Sequence, residues 1–501
     1  MITALLIGLP LVFSLLLLFT KGDGVKRIAL TASVIEFILC IVAYYFLHQH
    51  QVTGKDDERL YINVEWITSL GVNFNLALDG ISMVLVFLTC FLVPLIILSS
   101  FGKKYENPSL FYALILFMQM ALIGVFVAQD GFLFYIFWEL ALIPIYFICL
   151  MWGGENRGAI TFKFFLYTLF GSLFMLAALI YLYLNTTIGE TGIHTFNIQA
   201  LIDAGHSMNP TEQTYVFWGL FLAFAIKMPV FPFHTWQPDT YHTAPTQGTM
   251  LLSGIMLKMG TYGLIRWLLP MCPDALQEWE PTVIGLSIIS ILYASFMAIA
   301  QKDFKRLIAY SSIAHVGLIA AGILAFTPEK GNTEGITGAI VQMFSHGINV
   351  VGLFFIADIL YSRMGTFEMA KLGGIRNIAP KFTTLFLIIM MGSVALPLTN
   401  GFVGEFLLVN GVYKYSAIAA GFAGLTIILG AVYMLRGFQT TMLGEIKSNT
   451  SSFTALSSSE TAVLVIIAGA VIFFGVYPKP ILDLVQNDVQ NLVAGIKFTH
   501  P

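Results

Sequence analysis

Long apolar segments follow one another along most of the chain, and short polar segments separate them. Each apolar segment is about 20 residues long, the length that an α-helix needs to cross the hydrocarbon core of a bilayer. Backbone polar groups find no water in that core, so the chain must cross it as helices. The pattern predicts an all-α, polytopic membrane protein. Its 14 expected spans lie at about residues 2–20, 28–47, 80–101, 109–128, 131–151, 162–184, 214–235, 243–268, 283–300, 305–326, 335–361, 382–413, 416–441 and 461–477.

The composition supports the membrane assignment. Apolar residues make up 57% of the chain and charged residues 11%, whereas soluble domains contain about 25% charged residues. No linker divides the sequence, so residues 1–501 are predicted to form a single membrane domain. The first span begins almost at Met1 without a small-residue cleavage site, and we expect it to be retained.

Several kinds of site are not expected. The net charge of −3 gives no indication of nucleic-acid binding. The four cysteines lie far apart and form no CxxC or Cys/His spacing, which disfavours iron–sulfur clusters and structural zinc. A glycine-rich phosphate loop is also absent from the sequence. We therefore expect no metal or cofactor of its own in this chain.

Basic residues are distributed unevenly between the connections. Connections after odd-numbered spans hold 16 of the 25 lysines and arginines, while the even-numbered connections and the C-terminal tail hold seven. Cytoplasmic connections carry the excess of basic residues in membrane proteins. The bias places the odd connections in the cytoplasm and both termini outside. The long connections 48–79 and 185–213 then lie outside, the second with a short interfacial helix at Phe196–Ala204.

Two spans carry signs of interruption. Span 7 contains Pro229 and Pro232, and span 12 contains Pro397 followed by Asn400 and Gly401. Proline breaks the helical hydrogen-bond ladder, and broken membrane helices are tolerated only beside protein or a water-filled cavity. The sequence predicts that helices 7 and 12 are discontinuous.

The two interrupted spans are five apart. Five spans cross the membrane an odd number of times, so tandem copies of such a unit are inverted relative to each other. Inverted repeats with discontinuous helices at matching places are typical of transporters. We predict two inverted five-helix repeats, at residues 109–268 and 283–441.

Two lysines lie inside long apolar runs, Lys227 in span 7 and Lys258 in span 8. One such cation at the bilayer centre costs roughly 3 kcal/mol on insertion scales. A membrane protein that keeps two of them is expected to move charge.

Carboxylates also lie within the apolar spans. Glu139 is near the middle of span 5, and Glu405 follows the interruption in span 12. A lone buried carboxylate can simply form a salt bridge that fixes helix packing, but several buried groups of both signs favour a functional role. A carboxylate next to a buried lysine stabilises its protonated form. Contact between Glu139 and Lys227 would thus control whether Lys227 holds a proton.

Three histidines share the spans with these groups: His234, His315 and His346. His234 would lie two turns from Lys227 if that helix were continuous. In span 11 a polar stripe contains His346 and, at spacings of three and four, Gln342, Ser345 and Asn349. Such a stripe either packs against other helices or lines water, and we favour water. Histidine accepts and passes on a proton near neutral pH.

Other interpretations of the buried ionisable residues have less support. Paired histidines ligate haem in membrane cytochromes, but each helix here offers a single candidate. Glu36 is expected to face a partner subunit, and Asp358 lies near the end of a span. We favour structural roles for both carboxylates.

Several motifs together resemble a known family. They are Phe137–Leu140, Lys227–Asp239, Ala244–Lys258, Asp303–His315 and Gly401–Phe406. These segments resemble the proton-translocating, antiporter-like membrane subunits of respiratory complex I. The resemblance covers nearly the whole chain and is strongest over about residues 75–445.

The resemblance implies a set of site residues. It implies a glutamate–lysine pair at Glu139 and Lys227, a central lysine at Lys258 and a proton exit at Glu405. It places His234, His315 and His346 along the hydrated axis between those sites. Glu405 stands where the L and N chains of the family usually carry lysine.

The resemblance also implies a function. The chain would be a non-redox, proton-translocating subunit of an NADH:quinone oxidoreductase in a bacterial inner membrane. Flavin, iron–sulfur clusters and quinone would bind to partner subunits. The expected partners are other membrane-arm subunits, especially the antiporter-like chains L and N, and the lipid bilayer. The alternative is a subunit of a multi-subunit sodium/proton antiporter or of a membrane-bound hydrogenase.

Overall fold

Helices make up most of the computed structural model, which describes residues 1–22, 24–53, 58–187, 192–327, 331–448 and 450–498. The first half contains α1 (Ile2–Leu18), α2 (Gly24–Thr53), α3 (Gly80–Ser99), α4 (Pro108–Val127), α5 (Gly131–Trp152), α6 (Arg157–Leu184), α7 (Ile198–Ser207), α8 (Pro210–Lys227), α9 (Gln237–Thr243), α10 (Thr246–Leu251), α11 (Lys258–Gly263) and α12 (Leu269–Met271). The second half contains α13 (Pro273–Ala300), α14 (Phe304–Leu324), α15 (Thr333–Met364), α16 (Ile375–Ile378), α17 (Pro380–Ser393), α18 (Asn400–Tyr415), α19 (Ala417–Met442), α20 (Ser458–Val476) and α21 (Lys479–Gly495).

Within the described residues, ten helices are long and apolar enough to cross a membrane. This confirms the prediction of a polytopic membrane protein. The ten are α2 to α6, α13 to α15, α19 and α20, and each coincides with one predicted span. The other four predicted spans coincide with shorter or interrupted elements, namely α1, α8 with the non-helical residues after it, α10 to α12, and α17 with α18.

Acidic side chains mark the start of several spans. At the start of α3, Asp79 accepts a hydrogen bond from the N–H of Ser82 at 2.9 Å. Asp130 does the same for α5 and Asp303 for α14. The first N–H groups of a helix have no partner inside the helix, and such caps satisfy them. The caps therefore fix where these spans begin.

The predicted interruptions of spans 7 and 12 are confirmed. Helix α8 ends at Lys227, and α9 begins only at Gln237. Helix α17 ends at Ser393, and α18 begins at Asn400. Because α8 stops at Lys227, His234 lies on no continuation of that helix, and the seven-residue spacing does not place the two on one face.

Span 8 is irregular in a way that the sequence did not predict. A π-helical turn at Leu252–Met256 precedes Lys258, and a second one occupies Leu264–Leu268. The N–H of Leu257 bonds to the carbonyl of Leu252 at 3.1 Å, one residue further back than in an α-helix. Such turns occur frequently at functional sites.

The all-α prediction is wrong in the segment before α3. Strands β1 (Tyr61–Ile67) and β2 (Val72–Ala77) form an antiparallel hairpin, with Tyr61 opposite Ala77. Strand β1 is rich in β-branched and aromatic residues that favour extended backbone. The apolar-span pattern did not reveal them because the hairpin lies in the polar segment 48–79, of which residues 54–57 lie outside the described part.

The connections gather at two ends of the helix bundle. At one end, here called the hairpin end, Leu76 of β2 forms a bridge with Ala128, and Asp130 forms one with Asn197. At the other, here called the basic end, the side chain of Lys26 donates to the carbonyl of Phe101 at 3.3 Å. A further bridge at the basic end joins Asp303 and Glu368. In each case the joined connections are ones that the charge bias placed on the same side.

Candidate functional site

Lys258 lies at the centre of a polar contact inside the bundle. It is the first residue of α11, immediately after a π-helical turn, and its side chain is fully buried. Its Nζ donates to the carbonyl of Ser253 at 2.6 Å and lies 2.9 Å from Nδ1 of His346 on α15. When Lys258 is protonated, Nδ1 accepts and the neutral imidazole carries its proton on Nε2. The predicted central lysine therefore has a proton-accepting partner.

The row of ionisable groups continues from His346 to Glu405. The rings of His346 and His315 are 5.8 Å apart between centroids. Nδ1 of His315, on α14, lies 3.0 Å from Oε1 of Glu405 on α18, both side chains being buried. Gln342 donates to the same carboxylate oxygen at 3.2 Å. Four predicted site residues thus form one row, here called the central row, in the order Lys258, His346, His315, Glu405.

A small cavity lies beside the two histidines. Its polar lining residues include Ser311, Ser312, His315, His346 and Asn349. The space open to the centres of water molecules is about 10 Å³, which is room for about one water. Polar atoms around it have no protein partner, among them Nε2 of His346 and Oδ1 of Asn349. The predicted polar stripe of span 11 therefore lines a site suited to water.

Part of that stripe packs against α18 instead. Ser345 donates to the carbonyl of Asn400 at 2.8 Å, and the Asn400 side chain returns a bond to the carbonyl of Ser345 at 3.4 Å. Sequence reasoning did not select Asn400, although its place at the restart of the broken span was a usable signal. The exchange of bonds holds α18 against the helix that carries His346.

Glu139 and Lys227 are close in space but are not hydrogen-bonded. Nζ of Lys227 and Oε1 of Glu139 are both buried without a hydrogen-bond partner. Nζ of Lys227 lies 5.2 Å from the centre of the Trp138 ring, and Trp138 directly precedes Glu139 on α5. The side chain of Glu139 is partly exposed at the surface of the bundle. The two residues are neighbours, but in this conformation their side chains form no direct hydrogen bond.

His234 stands apart from the other two histidines. It lies in the non-helical segment between α8 and α9 and is 4% exposed. Its ring packs against Tyr293 of α13 with centroids 4.9 Å apart, and its Nδ1 has no hydrogen-bond partner. None of its described contacts is with a member of the central row.

Helices α15 and α18, which carry His346 and Glu405, meet along a glycine seam. A Cβ atom at Gly338 would come within 2.7 Å of Cβ of Leu407. Overpacking of this kind costs about 1–3 kcal/mol. We expect Gly338→Ala to lower the thermal stability of the purified protein in its complex, measured as the temperature at which the chain aggregates.

A matched control for the seam is Gly469→Ala on α20, where no heavy atom lies within 4 Å of the added Cβ. This control should have the same melting temperature as the wild type. Equal melting temperatures for both variants would show that the seam tolerates a methyl group, against the close packing described.

Comparison with known proteins agrees with this geometry. The family model described as "NADH:quinone oxidoreductase/Mrp antiporter, TM" matches residues 128–431. A second model, "NADH-ubiquinone oxidoreductase chain 4, amino terminus", matches residues 60–125. The chain belongs to this antiporter-like family.

Members of the family resemble the chain over its full length. NADH-quinone oxidoreductase subunit M of Rickettsia prowazekii (strain Madrid E) is 40% identical over 502 residues, covering 99% of each chain. A chain of respiratory complex I from Thermus thermophilus with bound NADH superposes with a TM-score of 0.89 at 30% identity, covering 99% of this chain and all of that one. A chain of the Mrp complex from Dietzia sp. DQ12-45-1b shares the fold alone, with a TM-score of 0.81 at 20% identity over 99% of this chain and 52% of that one.

Two basic residues near the ends of spans have buried side chains. Arg266 forms a close ion pair with Asp79 at the hairpin end, and its side chain is 14% exposed. Burial of the Asp79 carboxyl opposes its ionisation, but the Arg266 charge outweighs burial and holds the pKa of Asp79 below its usual range. Lys305 is 3% exposed and lies at the start of α14. Burial of these side chains depends on neighbouring helices, which hydropathy alone does not report.

The two carboxylates without an assigned role are also located. Glu36 is fully buried within the bundle and both its oxygens lack a hydrogen-bond partner, so the expectation that it faces a partner subunit is wrong. Asp358 on α15 pairs with Lys103 and accepts a hydrogen bond from Thr246. Over the described ranges, no three His, Cys, Asp or Glu side chains come together as a possible metal site.

Proposed function

We propose that this chain is a proton-translocating membrane-arm subunit of an NADH:quinone oxidoreductase and carries no redox centre itself. The observation that carries the proposal is the central row, in which Lys258, His346, His315 and Glu405 come from four different helices. Each member can gain or lose a proton, and each lies next to the following one. Intramembrane ionisable groups in such a chain are typical of proton relays in pumps.

The roles of the residues follow from their positions. Glu139 and Lys227 form the pair that responds to redox-driven change. Their side chains are not in direct contact here, and formation of that contact would stabilise the protonated form of Lys227. Lys258 takes the proton to the histidines, His346 and His315 pass it on, and Glu405 releases it. His234 is proposed to join Lys227 to this axis through water.

The proposed architecture has 14 spans and two inverted repeats, at residues 109–268 and 283–441. The interruption between α8 and α9 and that between α17 and α18 support it, since each breaks the fourth of five spans. Flavin, iron–sulfur clusters and quinone belong to partner subunits, and the antiporter-like chains L and N are the proposed neighbours. The location is a bacterial inner membrane, with the basic end in the cytoplasm and both termini outside.

Replacing Glu139 with glutamine or Lys227 with alanine tests this function in the intact complex. We expect each variant to lose most of its proton-coupled NADH oxidation, because neither can form the charged contact. NADH oxidation with an artificial electron acceptor should be unchanged, since that reaction bypasses the membrane arm. The measurement compares both rates in membrane vesicles.

Controls for these variants are available in the connection between α3 and α4, where Glu106 and Lys104 are exposed. Glu106→Gln and Lys104→Ala should behave as wild type. Wild-type coupled rates in the Glu139 and Lys227 variants would contradict the role given to the pair. A pH gradient that forms only when sodium is present would instead favour the sodium/proton antiporter.

A further inference from the structure

A second cavity opens at the basic end of the bundle. Its volume is about 570 Å³. Charged and polar side chains line it, including those of Lys103, Glu155, His242, Thr246, Lys305 and Asp358. It is therefore a wet space, and it is much larger than the water-sized cavity beside the histidines. We call it the basic-end cavity.

Lys305 occupies an unusual position on the wall of this cavity. Its side chain is buried, and its Nζ donates to the main-chain carbonyls of His242 at 3.0 Å and Ala244 at 2.9 Å. The described residues place no carboxylate within ion-pair distance of it, because Asp358 is held by Lys103 and Thr246. Its Nζ also lies 5.5 Å from the centre of the Phe367 ring. A buried ammonium without a salt-bridge partner loses its proton more easily than a salt-bridged one.

Helices α14 and α15 connect the two cavities. Lys305 lines the basic-end cavity, whereas Ile308, Ser312 and His315 line the small one. Ile308 is three residues beyond Lys305, a rise of about 4.5 Å along the helix. On α15, Leu353 lines the small cavity, and Asp358, five residues further along, lines the basic-end cavity. An apolar layer that includes Ile308 and Leu353 therefore lies between Lys305 and the polar lining beside His315.

We propose that Lys305 is a further proton-carrying residue, which loads the central row from water in the basic-end cavity. Neutral Lys305 takes one proton from that water. The same proton then leaves Nζ through water between Ile308 and Leu353 and arrives on Nε2 of His346, while Nδ1 of His346 gives its proton to neutral Lys258 at the start of the row, and Lys305 is neutral again. Apolar constrictions of this kind conduct only while wetted, so the layer keeps the row closed between turnovers. This inference rests on the proposed function and adds the uptake route to it.

The other ionisable groups around Lys305 come from several elements. Asp358 and Lys103 lie on the cavity wall, Asp303 precedes α14, and Cys149 belongs to α5. Asp303 accepts from Nε2 of His242 at 3.1 Å. Burial opposes ionisation of Asp303, but its bonds to His242 and the Arg306 amide, with the nearby positive charge, hold its pKa below the usual range. None of these groups changes in the Lys305 variants, so a pH dependence that those variants show and the wild type does not belongs to residue 305.

Two substitutions at this position separate a proton carrier from a structural cation. Lys305→Arg keeps the charge and the donors, but arginine does not release its proton. Lys305→His carries a group that titrates near pH 6.5. The measurement is the initial rate of NADH-driven proton uptake by inverted vesicles containing the whole complex, at external pH 6 and pH 8.

If Lys305 carries protons, the arginine variant should pump at least about tenfold more slowly, since positioned proton-transfer groups contribute about 10²- to 10⁴-fold. The histidine variant should pump at pH 6 and lose most of that rate at pH 8. Pumping by the arginine variant at the wild-type rate, with an inactive histidine variant at both pH values, would overturn the proposal and make Lys305 structural.

The control for both variants is Lys302→Met, in the exposed connection just before α14, which should pump as wild type. Failure of this inference and failure of the proposed function are distinguishable. Normal pumping in the Lys305 variants together with none in a Lys258 variant would reject only the uptake route. Normal pumping in both would reject the function itself.

Discussion

Replacing Lys258 with methionine should stop proton pumping by the assembled complex. Methionine fills a similar volume but cannot carry a proton, so the row would begin at His346 with no donor. Positioned proton-transfer groups contribute about 10²- to 10⁴-fold, and we expect at least a tenfold loss of the initial rate of NADH-driven proton uptake. NADH oxidation with an artificial acceptor should continue at the wild-type rate.

Lys258→Arg distinguishes proton transfer from simple charge. Arginine keeps a cation at the bundle centre but does not deprotonate, so this variant should also fail to pump. Lys381→Met, at an exposed lysine in the first turn of α17, is the matched control and should retain full pumping. Full pumping by Lys258→Arg would show that the site needs only positive charge, against the relay.

Replacing Glu405 with glutamine should have the second large effect. Glutamine has nearly the same shape and can still bond to Gln342, which now contacts the carboxylate at 3.2 Å. It cannot accept a proton, and it no longer stabilises a positive charge on His315, which lies 3.0 Å away. We expect proton uptake to fall at least about tenfold, since the last group of the row is lost.

Two further variants serve as comparisons for Glu405→Gln. Glu405→Asp retains a carboxylate on a shorter side chain and should recover part of the rate. Glu445→Gln, at an exposed position after α19, should match the wild type. If Glu405→Gln pumped normally, the exit would lie elsewhere, and the contact with His315 would be a packing feature only. The rate of proton-coupled NADH oxidation and the rate of proton uptake, measured in the same vesicles, distinguish these two outcomes.

The candidate site was only partly predictable. The sequence selected Lys258, His315, His346 and Glu405 because each is an ionisable group whose burial is costly. Their order could not be predicted, because Lys258 and His346 are 88 residues apart and meet only through the rotation of two packed helices. For the same reason the inward burial of Glu36 and of Lys305 escaped prediction.

The sequence by itself determined the membrane class, the two broken spans and the identity of the buried ionisable groups. Those features follow from local costs, namely the length of an apolar run, a proline in a helix and a charge in hydrocarbon. The tertiary structure alone decided the open contact between Glu139 and Lys227, the separation of His234 and the β-hairpin of residues 61–77. It also decided the π-helical turn before Lys258. These depend on how helices are rotated and where connections meet, which is set by packing between segments distant in sequence.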